Sequence, residues 1–331
     1  MKRFVNLTFV MMLAFIVILS GCSSSSSINE SKNNNSGEGS KPLNVALIVK
    51  SVDSEYWLTV KAGAEKAAKE LGVNLIFKGA PTETDIAGQI SIVENAINQR
   101  MDGIVLAASD TKALVAPVEK AIDAGIPVVT VDSGIDSDKP QSFIATDNEK
   151  AAEEAAKVLA EMTGKKGKVA VVNFVPGAAT AVMRENGFKD GIKKYPDMKI
   201  VAIQYSQSDK AKALSVTEDI LTAHPDIVGI FGANNKSALG AAQAIKQKGL
   251  EDKVHLVAFD ADPDEINELK KGTIKALIVQ NPFKMGYEGV KNVVKAIKGE
   301  QVEKRIDTGV TVVTKDNFND PEVQKLLFPN K

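Results

Sequence analysis

From Lys41 onward the chain alternates short apolar runs with longer amphipathic segments. The short runs are rich in β-branched residues and are continuously apolar, which is typical of strands buried on both faces of a parallel sheet. They predict nine strands, at Leu43–Val49, Val73–Phe77, Gly103–Ala107, Pro127–Val131, Lys168–Val172, Ile200–Ile203, Ile227–Phe231, Val254–Phe259 and Ile274–Val279. The longer segments predict eight helices, at Trp57–Leu71, Asp85–Gln99, Thr111–Ala124, Glu149–Met162, Ala181–Lys194, Asp209–Ala223, Lys236–Lys248 and Pro282–Lys298. This alternation indicates an α/β fold with parallel sheets.

Two sheets fit the length of this chain better than a single sheet of nine or more strands. The stretch Asp132–Gln141 is the first long polar interruption, and a second half of similar plan follows it. We therefore predict two doubly wound lobes, each with helices on both faces of its parallel sheet, and a boundary near Thr146.

The first 40 residues have a different character. Two basic residues near the N-terminus precede an apolar run that ends at Leu19, and small residues lead to Cys22, the only cysteine in the chain. This layout predicts a signal peptide at 1–21 and lipidation of Cys22, with an ordinary signal peptide as the alternative. The Ser/Asn-rich residues 22–40 predict a flexible tether. We expect the mature protein outside the cytoplasm, lipid-anchored at the outer face of the cell membrane or periplasmic.

Composition and motif spacing exclude several classes of protein. The formal charge of −1 gives no basic surface for nucleic acid. One cysteine cannot form a disulfide within the chain, and His224 and His255 belong to no cluster with metal-ligand spacing. No Gly-x-Gly-x-x-Gly follows the first strand, and neither a P-loop nor a nucleophile elbow occurs. Asp260-x-Asp262-x-Asp264 starts like a calcium loop but lacks its later glycine and glutamate. We predict a protein that is not an enzyme and that has no cofactor and no metal.

Polar and aromatic side chains follow the predicted strands at the edge where open parallel sheets bind ligands. They combine carboxylates, amides, two cations and aromatic rings, namely Lys50, Tyr56, Trp57, Asp132, Arg184, Asn234, Asp260 and Gln280. Planar groups of this kind make paired hydrogen bonds to neighbouring hydroxyls, and aromatic rings pack against the C–H face of a sugar. The set therefore predicts a site for a small neutral polyol.

Each of these residues also has a purely structural interpretation. The carboxylates and amides are placed to cap the helices that follow them. The two aromatics are placed to belong to the core at a helix start, and Arg184 to lie on a solvated helical face. The joint occurrence of these residues at corresponding strand ends favours a ligand site.

Three stretches give the chain a resemblance to a known family: Leu221–Asp226, Ala238–Ala241, and Phe259-Asp260 with Pro263-Asp264. Together, at this spacing, they resemble the periplasmic sugar-binding proteins of the ribose-binding type, which serve ABC importers. The similarity runs from about Asn44 to Val313, nearly all of the predicted folded part.

The resemblance implies a type I periplasmic binding protein, in which three crossing strands join two lobes and ligand closes the cleft by hinge bending. The crossings are expected near Thr146, Gln280–Asn281 and Gly309–Val310. The first lobe would then comprise 41–146 plus 281–309, and the second 147–280 plus 310–331. The segment from Lys315 onward would be longer than the corresponding end of the ribose binder.

The resemblance also implies ligand-binding roles. Asp132 matches the carboxylate that binds sugar hydroxyls from the first lobe, and Tyr56 and Trp57 match the aromatic pair on that side. The second-lobe matches are Arg184, Asn234, Phe259, Asp260 and Gln280.

Three positions depart from the ribose pattern. Lys50 replaces a small hydroxyl residue, Ser133 an arginine and Ser208 an aromatic residue. Lys50 together with Gly79–Glu83 is more similar to the branch that includes the autoinducer-2 binders, whereas the second-lobe residues keep the aldose pattern.

The sequence thus predicts a monomeric solute receptor that captures a pentose, hexose or related polyol and delivers it to the permease of an ABC importer. The main alternative is a sensor that presents a sugar or autoinducer-2 to a membrane kinase or chemoreceptor. An exported enzyme lacks its motifs, and a sugar-responsive repressor lacks an N-terminal DNA-binding module.

Overall fold

The computed structural model describes residues 41–329. Its strands are β1 Asn44–Val49, β2 Asn74–Gly79, β3 Gly103–Leu106, β4 Val128–Val131, β5 Ser142–Ala145, β6 Lys166–Asn173, β7 Asp197–Tyr205, β8 Ile227–Gly232, β9 His255–Phe259, β10 Ile274–Val279, β11 Arg305–Asp307 and β12 Thr311–Val313. Its helices are α1 Glu55–Leu71, α2 Ile86–Asn98, α3 Val115–Asp123, α4 Asn148–Met162, α5 Ala179–Lys193, α6 Lys210–Ala223, α7 Asn235–Gln247, α8 Pro263–Lys271, α9 Pro282–Ile297 and α10 Pro321–Leu327. The predicted signal peptide, tether and lipidated Cys22 lie outside the described residues.

The strands form two six-stranded sheets with the same topology. The first has the order β11-β5-β4-β3-β1-β2, and the second has the order β12-β10-β9-β8-β6-β7. The pairings are parallel except for β12, which runs antiparallel to β10. In each sheet the chain winds first to one side and then to the other, so a switch point lies between β1 and β3 and between β6 and β8. The prediction of two doubly wound α/β lobes is confirmed.

Alternate residues of the central strands enter different cores, which explains why these strands are continuously apolar. In β1, Val45 and Leu47 pack toward α1 and α9, whereas Ala46 and Ile48 pack toward α2 and α3. The second sheet repeats this division around β6. Each sheet therefore buries both of its faces under helices.

The chain passes between the sheets three times, after β5, after β10 and between β11 and β12. Thr146 lies at the first passage, and its hydroxyl group bonds with that of Thr308 at 3.2 Å and donates to the carbonyl of Gly309 at 3.1 Å. The first and third passages are therefore tied together. After the second passage, α9 packs on α1 in the first lobe, while α10 packs on the core of the second.

All nine predicted strands are present, but β5, β11 and β12 were not predicted because their three or four residues are too few to form a recognisable apolar run. The helices α8 and α10 were missed for the same reason. The helix predicted from Thr111 begins only at Val115, because the side chain of Asp110 accepts two backbone N–H groups and holds the preceding residues in a turn. Within residues 41–329, no helix has the length and apolarity needed to span a membrane.

Two glycines permit the close packing of α1 on α9. A Cβ atom at Gly286 would overlap the carbonyl oxygen of Val60, and one at Gly63 would overlap that of Phe283. Both obstacles are backbone atoms of the facing helix, so a side chain at either position can be accommodated only if the helices separate.

We predict that Gly286→Ala destabilises the protein by about 3 kcal/mol, the upper end of the usual overpacking cost. Urea denaturation of Gly286→Ala and of Lys295→Ala, an exposed position on the same helix, measures the difference. Equal unfolding midpoints for the two variants would contradict this account of the α1–α9 contact.

Candidate functional site

The carboxyl ends of the two sheets face each other around a cavity of about 300 Å³. Eight of the nine predicted ligand-binding residues line it: Lys50, Tyr56, Trp57, Asp132, Arg184, Asn234, Asp260 and Gln280. Five further residues line the same cavity: Ser54, Glu83, Phe174, Thr180 and Asn235. The remaining predicted residue, Phe259, is fully buried beside it.

The first-lobe wall is organised around Asp132. This residue follows β4 with a φ of 59°, a left-handed conformation that is uncommon outside glycine and that often marks functional sites. Its carboxylate accepts a 2.8 Å hydrogen bond from the Tyr56 hydroxyl, and its other oxygen lies 2.9 Å from Lys50 Nζ. Burial, together with the negative charges of Asp132 and Asp260, raises the pKa of Tyr56 well above its usual value, so Tyr56 stays a donor.

Trp57 is held beside Tyr56 by edge-to-face contact, with ring centroids 4.9 Å apart. Its indole N–H donates to the Glu83 carboxylate at 3.1 Å, and Lys50 Nζ lies 5.6 Å from its ring centroid. Sequence analysis did not place Glu83 in the site. The one sequence signal was its position in the loop after β2, where side chains of the same sheet edge gather.

In the second lobe, Arg184 is fixed by three contacts. Its Nε donates to Asn148 Oδ1 at 2.8 Å and its Nη1 donates to the carbonyl of Ala233 at 2.7 Å. Its guanidinium carbon lies 3.6 Å from the ring centroid of Phe259. Phe259 thus supports the guanidinium group by cation–π contact rather than lining the cavity as an aromatic wall.

Asp260 repeats in the second lobe the arrangement of Asp132 in the first. It follows β9, the fourth strand of its lobe, with a φ of 86°. Its carboxylate accepts hydrogen bonds from Gln280 Nε2 at 2.7 Å and from the backbone N–H of Asn235 at 3.2 Å. Burial raises its pKa, while the nearby charge of Arg184 acts in the opposite direction.

The capping interpretation applies to Asn234 but not to the two aspartates. Asn234 Oδ1 accepts from the backbone N–H of Ser237 at the start of α7, and its amide donates to Ser208 Oγ at 2.9 Å. Ser208, which stands in place of the family's aromatic residue, therefore orients Asn234. A capping residue and a cavity-lining residue are here the same side chain.

The cavity offers both hydrogen-bond donors and acceptors and is close to charge-balanced. Two cations, Lys50 and Arg184, face three carboxylates, Glu83, Asp132 and Asp260. Such a lining suits an uncharged molecule that has several hydroxyl groups. Among residues 41–329 no group of three His, Cys, Asp or Glu side chains is arranged to hold a metal ion.

The two lobes touch each other across the mouth of the cavity. Lys50 Nζ donates to Thr180 Oγ1 at 3.2 Å. Farther out, Asn235 Nδ2 donates to Ser54 Oγ at 3.2 Å, and Lys236 Nζ lies 2.7 Å from Asp53 Oδ2. We refer to the last two contacts, Ser54–Asn235 and Asp53–Lys236, as the rim latch. The structure therefore represents a closed arrangement of the lobes.

A model of the periplasmic binding protein domain matches residues 45–301. The chain belongs to the periplasmic binding protein family. It is 32% identical over 283 residues to the ribose import binding protein of Bacillus subtilis, covering 86% of this chain and 90% of the relative. It is also 32% identical over 265 residues to the D-allose-binding periplasmic protein of Escherichia coli, covering 78% of this chain and 85% of that protein.

Solved structures agree with this assignment. An ABC transporter solute-binding protein from Agrobacterium vitis with bound D-fucose has a TM-score of 0.84 and 44% identity, covering 86% of this chain and 99% of that one. The resemblance to the ribose-binding type of periplasmic binding protein is thus confirmed. Members of this family are substrate-binding proteins of transporters and not enzymes.

Beneath the site of this periplasmic binding protein lies a pair of buried acids, Asp262 and Glu265. Burial raises the pKa of Asp262 to about 7; a hydrogen bond from Asn235 opposes this effect, and the charges of Asp260, Glu55 and Asp264 add to it. Burial raises the pKa of Glu265 well above its usual value, and the charges of Asp262, Asp260 and Asp264 add to this effect. Both acids therefore take up protons more readily in the folded protein than in the unfolded chain.

Because its folded-state pKa is raised above 3.8, protonated Asp262 stabilises the fold at low pH, and this contribution is lost as pH rises toward about 7. We predict that Asp262→Asn gains stability relative to the natural protein between pH 4 and pH 7, by up to about 1.4 kcal/mol per pH unit. Urea denaturation across this range measures the difference, with Asp264→Asn as the exposed control. A constant difference at every pH would refute the prediction.

Proposed function

We propose that this chain is an extracytoplasmic solute-binding lipoprotein that captures a neutral monosaccharide between its lobes and delivers it to the permease of an ABC importer. One observation carries the proposal: Asp132 and Arg184, from opposite lobes, line one buried cavity together with Tyr56 and Trp57. A sugar ring there would bridge the lobes through its hydroxyl groups while its C–H face packs on the aromatic side chains.

The energetics of such a complex are adequate. A charge-assisted hydrogen bond contributes about 1.5–3 kcal/mol, so five or six of them exceed the ~8 kcal/mol of a micromolar complex and leave a margin for ordering costs. The names of the relatives point to the same class of ligand, since they include binders of ribose, allose and D-fucose.

Lys50 argues for a sugar other than ribose. Its ammonium group lies against Asp132 and Thr180, at a position where the ribose-binding pattern has a small hydroxyl residue. An ammonium group here adds a donor to the first-lobe wall and leaves Asp132 fewer free lone pairs for hydroxyl groups. We therefore propose that ribose is not the preferred ligand and that the Lys50–Asp132 pair binds the sugar as a unit.

The N-terminal residues support a lipoprotein. Cys22 follows an export-type segment, and a coil of about 18 Ser/Asn-rich residues would span roughly 20–25 Å between a lipid on Cys22 and the first strand. We propose that the protein works as a monomer held at the outer face of the membrane, within reach of its permease.

The direct test is calorimetric titration with a panel of D-fucose, D-arabinose, D-allose, D-ribose, D-tagatose, inositol and autoinducer-2. We predict micromolar or tighter binding of at least one neutral monosaccharide, and weakening of that binding by about 30-fold or more in Asp132→Asn and Arg184→Lys, because each loses charge-assisted or bidentate contacts.

Asp110→Asn serves as the matched control, because Asp110 also follows a strand of the first sheet but does not line the cavity. Failure of every monosaccharide to bind the natural protein would refute the proposed function. Unchanged affinity in both cavity variants would refute the assignment of the site.

Closure of the lobes leads to a separate prediction about the rim latch. Neither Asp53 nor Lys236 lines the cavity, and burial alone would raise the pKa of Asp53, but hydrogen bonds from Lys236 and Ser51 outweigh it and lower the pKa. Breaking this pair should disfavour the closed state by about 0.2–1 kcal/mol and so weaken all ligands by the same factor, about two- to fivefold.

Titration of Asp53→Asn and Lys236→Gln with two different sugars measures this factor, and the exchanged double variant Asp53→Lys/Lys236→Asp should recover part of the loss. A factor that differs between the two sugars would show instead that the latch residues act on the ligand itself.

A further inference from the structure

The C-terminal segment 321–329, which comprises α10, Phe328 and Pro329, has no role in the site described above. Its Val323, Leu326 and Leu327 pack on the core of the second lobe. The opposite side of α10 carries an exposed ion pair between Lys325 and Glu322. One side of the segment is therefore anchored, and the question is what the anchored end covers.

The end of this segment closes a second cavity, which we call the outer compartment. It encloses about 380 Å³ and shares three lining residues with the central cavity, Tyr56, Asp260 and Gln280. These three side chains form a partition between the two spaces. The far wall of the outer compartment consists of Leu326, Leu327 and Pro329.

The outer compartment lies beside a passage between the lobes. Thr59 of α1 and Pro282 at the start of α9 line one side of it, and Ala261 and Asp262 line the other. Gln280, which follows β10, is 2% exposed, and its Oε1 has no hydrogen-bond partner among residues 41–329. A buried acceptor without a partner costs free energy unless a ligand or a water molecule satisfies it.

We propose that the C-terminal segment 321–329 is the end wall of the binding site, and that Leu326, Leu327 and Pro329 thereby determine how large a ligand the site accepts and how slowly it leaves. This inference rests on the proposed sugar-binding function. A single ring fits the central cavity, and a small substituent beside Gln280 reaches the outer compartment. A bulky substituent in that direction meets the apolar wall and is rejected.

The wall also keeps water away from the partition. Asp260 and Gln280 bond to each other in a low-dielectric setting, and hydrogen bonds from them to a ligand gain strength from the exclusion of water. Opening the wall hydrates Asp260 and Asp262 from the outer side. The bound ring then loses part of its hold even though none of the residues that would touch it has changed.

The test compares Leu326→Ala/Leu327→Ala with Lys325→Ala, an exposed position on the same helix. A third variant, a chain ending at Leu327, keeps α10 but lacks Pro329. Stopped-flow fluorescence of Trp57, the only tryptophan, reports the dissociation of the tightest monosaccharide of the panel. The same measurements are made with the p-nitrophenyl glycoside of that sugar.

We expect the double alanine variant and the shortened chain to release the monosaccharide about fivefold faster or more, and to bind the aryl glycoside about tenfold more tightly relative to the monosaccharide than the full chain does. Lys325→Ala should match the full chain in both respects. A second readout is the pH dependence of stability, whose midpoint near Asp262 should move to lower pH when the wall is opened.

The inference is overturned if the folded variants, judged by circular dichroism and melting temperature, keep the release rate and the ligand-size preference of the full chain. That result would leave the proposed function intact, because the full chain would still bind its sugar. Failure of the full chain to bind any monosaccharide would overturn the proposed function instead.

Discussion

The closed arrangement depends on the pairing of buried charges at the carboxyl ends of the two sheets. Lys50 and Asp132 are each about 4% exposed at the side chain and lie 2.9 Å apart. Removing either ion from water is costly, and mutual attraction offsets that cost only when the remaining donors and acceptors are also satisfied. Tyr56 and Thr180 satisfy part of this requirement, and Thr180 belongs to the opposite lobe. The electrostatic balance of the first lobe is therefore completed by closure.

The second lobe meets the same requirement with the same backbone device. Asp132 and Asp260 each follow the fourth strand of their sheet in a left-handed conformation, and each donates its backbone N–H to the neighbouring strand, at Ile144 and Ile278 respectively. The positive φ leaves this hydrogen bond of the ladder intact while the residue lies at the cavity edge. Strain at two symmetric positions is thus accepted in order to place two carboxylates in one cavity.

The sequence was sufficient to predict features that depend on local pattern. Continuous apolar runs identified the central strands, and polar residues directly after them, such as Asp132 and Asp260, were recognised because parallel strands end at a common edge. The sequence was insufficient where placement depends on contacts between lobes, so Thr180 and Asn235 were not identified. Phe259 was expected at the cavity wall, but stacking on Arg184 keeps it one layer below.

The contacts between the lobes are weak enough to leave control of closure to the ligand. Asp53 is 43% exposed at the side chain, and an ion pair this close to solvent contributes about 0–1 kcal/mol. The Lys50–Thr180 and Ser54–Asn235 hydrogen bonds add modest net amounts, because water satisfies the same groups in the open form. A cavity lined by unpaired acceptors such as Gln280 Oε1 opposes closure when it is empty. A ring with hydroxyl groups on both sides reverses this balance, since it satisfies acceptors of both lobes that closure alone would leave unpaired.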